Sequence, residues 1–119
     1  MRALLICTAL VSLLAIHGRA DAHAFLLKSE PVVGAVTASP KTIRLEFSEG
    51  VELLFSGIEV DNAAGAAVKT AAVHYDGANR KFLLADVPPL PPGSYRVKWH
   101  VVSVDTHRTE GDFSFTVKP

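Results

Sequence analysis

Asp105 and His107, His23, and Glu49 are the residues whose types and positions in this chain could hold a metal ion. Asp105-Thr106-His107 closes the run Val101-Val102-Ser103-Val104. In extended chain, residues two apart point to one side, so an imidazole and a carboxylate there can meet one ion. The same pair at a strand end also reads as a solvated loop. His23 follows Ala20-Asp21-Ala22, the kind of small-residue sequence at which a secretory leader is cut. A cut there gives His23 a free α-amino group, and that amine with the imidazole Nδ1 can close a chelate ring. The ordinary pKa of such an amine, about 7.7–8.0, lets a metal displace its proton near neutral pH. A histidine also follows such a cut by chance. Glu49 shares parity with Ile43, Leu45 and Phe47, so a carboxylate stands where an inward-facing row ends; a solvated strand end is the plainer reading. His74, beside the Asp76-Gly77 turn, and His100, between Trp99 and Val101, read as surface residues.

The one Cys and the one Met of the chain are Cys7 and Met1. A disulfide framework is excluded, as is any thiolate or thioether metal site downstream. The donors that remain for a metal ion are nitrogen and oxygen. Residues 1–22 carry an early charge at Arg2 and an apolar run over 3–16 interrupted by Thr8 and Ser12. That run is shorter than the roughly 18–20 residues that span a bilayer, so it reads as a signal peptide removed after Ala22 rather than a retained anchor. A lipoprotein would need its cysteine at the cut, and Cys7 lies well before it.

The elements that must position these ligands are strands. Ile43, Leu45 and Phe47 alternate with Arg44, Glu46 and Ser48; Tyr95, Val97, Trp99 and Val101 alternate with Arg96, Lys98 and His100; Phe113, Phe115 and Val117 alternate with Ser114, Thr116 and Lys118. Period-two alternation makes strands with one dry and one wet face. Further short strands are expected over 24–28, 56–61, 67–75 and 80–84, with turns at Glu30-Pro31, Ser39-Pro40, Asp76-Gly77 and the Pro-rich segment 88–93. About seven short strands in 119 residues of 49% hydrophobic content predict one all-β domain, an antiparallel immunoglobulin-like Greek-key β-sandwich over 23–119. Twelve basic residues balance twelve acidic ones, so no positive surplus exists to bind nucleic acid.

Taken together, these segments resemble the CopC family of periplasmic copper-binding proteins. The matching stretches are His23-Ala24-Phe25-Leu26-Leu27-Lys28-Ser29-Glu30-Pro31 with Gly34-Ala35, Leu45-Glu46-Phe47-Ser48-Glu49, Pro92-Gly93-Ser94-Tyr95-Arg96-Val97-Lys98-Trp99, and Val101-Val102-Ser103-Val104-Asp105-Thr106-His107 with Gly111 and Phe113-Ser114-Phe115. The resemblance implies a β-sandwich that binds Cu(II) through the amine and imidazole of His23, with Asp105 and His107 completing the site and Glu49 nearby. It implies a periplasmic, monomeric protein without enzymatic activity that buffers copper or hands it to a membrane copper transporter. Some family members carry a Met-rich Cu(I) site, which a chain without Met beyond position 1 cannot form in that way. Two departures bear on the loops: Thr106 and Arg108 flank His107 where the family often has Gly and Pro, and Gly50 follows Glu49 where it often has Pro. The rival readings are a copper oxidase built on a similar N-terminal histidine and a metal-free interaction module. Against the oxidase, Asp105 would occupy a position that oxygen needs.

Intact-mass measurement of the exported protein checks the leader directly: the expected chain begins at His23. A secreted chain that keeps residues 1–22 would remove the amine from the donor set.

Overall fold

A computed structural model describes residues 23–119; the leader expected over 1–22 lies outside the described residues. The alternating segments become strands because each has a row of side chains that must leave water. β3 (Thr42–Phe47) buries Ile43, Leu45 and Phe47; β8 (Gly93–Val102) buries Tyr95, Val97, Trp99 and Val101; β9 (Arg108–Val117) buries Phe113, Phe115 and Val117. The shorter strands are β1 (Leu26–Glu30), β2 (Val36–Thr37), β4 (Gly57–Asn62), β5 (Ala67–Val68), β6 (His74–Asp76) and β7 (Asn79–Asp86). A 3-10 turn at Leu53–Phe55 is the one helical segment among the described residues.

The strands form two sheets, ordered β1-β3-β7-β6 and β2-β9-β8-β4-β5, packed face to face as the expected sandwich. Nine strands replace the anticipated seven or so. The segment 67–75, expected as one strand, is two: β5 pairs with β4 in the larger sheet, and β6 pairs with β7 in the smaller. Thr70-Ala71-Ala72 between them offers no large inward side chain to hold either sheet, so the chain crosses from one to the other there. The sandwich is also not wholly antiparallel. β2 runs parallel to β9, pairing Val36 with Thr116 and Thr37 with Val117.

Aromatic contacts join the layers. Phe47 of the smaller sheet meets Trp99 of the larger edge to face, with centroids 5.2 Å apart, while within the larger sheet Tyr95 stacks on its cross-strand partner Phe115 at 5.6 Å. The Tyr95 hydroxyl donates to the carbonyl of Pro91 at 2.6 Å, which ties the Pro-rich loop to the start of β8. The Trp99 indole needs floor space in the facing strand, and Gly111, its register partner in β9, provides it. A Cβ on Gly111 would stand 2.6 Å from Cζ2 and 2.9 Å from Cε2 of that ring.

Gly111→Ala should therefore lower stability by about 1–3 kcal/mol, because the indole is packed against Phe47 and has little room to yield. Denaturant unfolding checks this; unchanged stability would mean that the ring moves freely.

Candidate metal centre

The centre lies at the end of the sandwich where three inward-facing rows run out. The row of β8 passes from Val101 to Ser103, that of β9 from Gly111 to Thr109, and that of β3 from Phe47 to Glu49. The N-terminal segment enters at this end, and both sheets hold it. From the smaller sheet, the Ser48 N–H donates to the carbonyl of Phe25 at 2.9 Å, and the Ser48 hydroxyl accepts the Phe25 N–H at 2.9 Å. From the larger sheet, the Thr109 hydroxyl donates to the carbonyl of Ala24 at 2.8 Å. Ala24 between these anchors is fully buried, so His23 is delivered to a fixed place while its own side chain stays half-exposed.

Asp105 and His107 come from the turn joining β8 to β9, whose last ladder pair is Val102 with Arg108. The expectation of an extended segment is corrected here: residues 103–107 fold back, with Ser103 N–H donating to the His107 carbonyl at 2.8 Å and Thr106 N–H to the Ser103 carbonyl at 2.8 Å. The two side chains share a side because the turn folds them together, not because strand geometry alternates. Asp105 Oδ2 lies 3.2 Å from His107 Nδ1, and Asp105 Oδ1 accepts a hydrogen bond from the Ser103 hydroxyl. The Ser103 hydroxyl, followed by the hydrogen-bonding His107, holds the Asp105 carboxyl below its ordinary pKa.

The structure brings His23 and His107 face to face, ring centroids 4.7 Å apart and tilted by 34°. It brings Asp105 to His107. Glu49 sits in the bend after β3, between the Ser48 anchor and Gly50, whose carbonyl accepts the Val104 N–H at 3.1 Å. Its side chain is exposed and, among the described residues, makes no hydrogen bond or ion pair. Also among the described residues, no three His, Cys, Asp or Glu side chains already converge as a metal cage. The assembled features are pairwise: two facing imidazoles, and a carboxylate on one of them. His74 is exposed on β6, and His100 lies over Gly57 on the outer face of the larger sheet, where a Cβ at 57 would approach its Cε1 to 2.6 Å. Neither reaches the group.

Sequence reasoning passed over Ser48, Ser103 and Thr109, the residues that hold the group in place. Parity offers a signal for two of them, since Ser103 and Thr109 are polar members of otherwise inward, apolar rows.

The 103–107 turn requires the left-handed conformation at Thr106, with φ of 74°. A β-branched residue is strained there, where glycine would not be.

Comparison with known proteins matches the CopC domain to residues 26–118. Protein YobA of Escherichia coli K12 is 43% identical over 99 residues, covering 82% of this chain and 80% of that protein. The crystal structure of CopC from Methylosinus trichosporium OB3b superposes with a TM-score of 0.77 at 37% identity, covering 82% of this chain and 95% of that one. PcoC, a methionine-rich copper resistance protein from Escherichia coli, superposes with a TM-score of 0.73 at 37% identity, covering 82% of this chain and all (100%) of that one.

Thr106→Gly should raise the stability of the metal-free protein by about 0.5–1 kcal/mol, the relief of left-handed strain outweighing glycine's greater unfolded entropy. Thermal or denaturant unfolding of the two proteins checks the sign. A loss of stability would show that the Thr106 side chain holds the turn by more than its contact with the Asp105 carbonyl.

Proposed function

This chain belongs to the CopC family, and on that premise we propose that it is a periplasmic Cu(II)-binding protein that buffers copper or passes it to a membrane copper transporter. The observation that carries the reading is the pair of facing imidazoles, His23 and His107, with the Asp105 carboxylate against the second. Two imidazoles that bind one ion with bonds of about 2.0 Å have centroids about 4.5 Å apart in neighbouring positions and about 6.3 Å apart in opposite ones. The 4.7 Å found here lies in that span. Neighbouring donor atoms of a square-planar ion are about 2.8 Å apart, so the 3.2 Å between Asp105 Oδ2 and His107 Nδ1 needs little closing.

Copper is the cargo, and each group has a role in holding it. Loss of residues 1–22 frees the His23 amine, which with its Nδ1 forms the chelate. His107 and Asp105 complete a donor set of three nitrogens and an oxygen, and Glu49 stands at the rim as an outer carboxylate. Three side chains alone leave that set one donor short, so processing completes it. The amine and both imidazoles shed protons as the metal arrives. Such donors in a tetragonal arrangement select Cu(II), and copper stands at the top of the divalent affinity order. Without a thiolate or thioether, the mature chain offers Cu(I) no tight site. Its relative PcoC, by contrast, is described as methionine rich. Asp105 fills a coordination position that an oxygen-activating copper would leave open, so the protein binds and releases copper without turning over a substrate. It does so as a monomer.

One extra residue before His23 converts the amine to an amide, a far poorer donor at neutral pH. Chelator-competition titration should show Cu(II) affinity falling by orders of magnitude, with β-sheet circular dichroism unchanged. His107→Ala should also weaken Cu(II) strongly, while His74→Ala and His100→Ala leave it as it was. Equal affinity in the processed and extended proteins would sink the N-terminal chelate.

A further inference from the structure

The 103–107 turn is organised by one buried hydroxyl. Ser103 is fully buried at the end of the inward row of β8, and it bridges to Val51 of the neighbouring loop. Its backbone N–H already takes the His107 carbonyl at 2.8 Å, so that acceptor does not need the hydroxyl proton. The hydroxyl is thereby left to donate to Asp105 Oδ1, while it accepts the His107 N–H at 3.3 Å. One oxygen thus touches both members of the Asp105–His107 pair: the carboxylate of one and the backbone of the other. The second carboxylate oxygen, Oδ2, is then turned toward His107 Nδ1. A carboxylate on a mobile turn rotates freely, whereas this one has its orientation set from inside the core.

We propose that Ser103 is a positioning residue for copper, aiming the Asp105 carboxylate and the His107 ring at the ion without touching it. The inference rests on the copper reading given above for His23, Asp105 and His107. Its physical basis is that a group preorganised by its neighbours binds without first being ordered, and that partners behind the ligands of a metal site commonly change affinity by about 10–100-fold. Ser103 reaches copper through Asp105, so its effect has to depend on that carboxylate.

The test is a double-mutant cycle on the processed protein, comparing wild type, Ser103→Ala, Asp105→Asn and the double variant. Cu(II) affinity is read by chelator competition, and the ligand field by electron paramagnetic resonance. Ser103→Ala should weaken Cu(II) about tenfold or more and alter the copper spectrum, and most of that cost should vanish in the Asp105→Asn background. Val97→Ala, a core truncation remote from the turn, supplies the comparison for lost stability alone and should leave the spectrum unchanged. Unaltered affinity and spectrum in Ser103→Ala would overturn the proposal. So would a cost that persists in full without the Asp105 carboxylate, since Ser103 would then serve the fold only. A copper-free measurement separates this inference from its premise: Ser103→Ala should shift the His107 ring resonances and weaken the nuclear Overhauser contact between the His23 and His107 rings. If His107→Ala leaves Cu(II) affinity untouched, the copper reading fails. Ring resonances identical in wild type and Ser103→Ala would still overturn the hold assigned to Ser103.

Discussion

Two sheets can share a dry interior only as far as their inward rows remain apolar, and in this protein three rows change character at the same end. Val101 gives way to Ser103, Gly111 to Thr109 and Phe47 to Glu49. A buried hydroxyl without a partner costs about 1–3 kcal/mol, so the fully buried Ser103 must find an acceptor, which the turn supplies, and the half-buried Thr109 finds one in the N-terminal segment. Satisfying them draws residues 23–25 and residues 103–107 to one place. The candidate metal centre is the consequence of how the core ends, and the candidate ligands are carried by the segments that those hydroxyls hold.

This arrangement separates stability from metal binding. The apolar layer from Ile43 to Phe115 is complete without any ligand, and His23, Asp105 and His107 all retain solvent exposure. These candidate ligands can thus be reached from solvent without the sandwich having to open. The turn is the strained part: Thr106 adopts a left-handed conformation, and its neighbours are fixed by short-range hydrogen bonds rather than by packing. Strain of this kind persists only where surrounding contacts over-determine the backbone, and Ser103 with its bridge to Val51 provides them. The outer faces carry the balanced charge in cross-strand pairs such as Arg96 with Asp112 and Lys98 with Glu59, exposed contacts that each contribute little to stability.

Much of the architecture was legible in the order of residues. Strict alternation in β3, β8 and β9 announced the inward rows, because a side chain on a strand can face only one of two ways and water rejects one of the two sets. The absence of sulfur beyond Cys7 limited the donors to nitrogen and oxygen, a matter of composition that no fold could alter. His23, Asp105, His107 and Glu49 could be named as candidates from their types and local spacing. The division of 67–75 between two sheets could not, since it depends on which partner strand each half meets, β4 or β7.

The same distinction applies within the site. Local chemistry identifies an imidazole and a carboxylate, but it does not decide that they meet across a turn or that His23 lies beside His107 at a separation of 84 positions in the chain. Those relations follow from anchors between segments distant in sequence: Ser48 to Phe25, Thr109 to Ala24, and Val104 to Gly50. Each anchor is a hydrogen bond whose partner is chosen by where the two sheets place their ends. The residue types were determined by the sequence alone; their convergence was decided by the tertiary structure, because only packed sheets bring those ends within reach of one another.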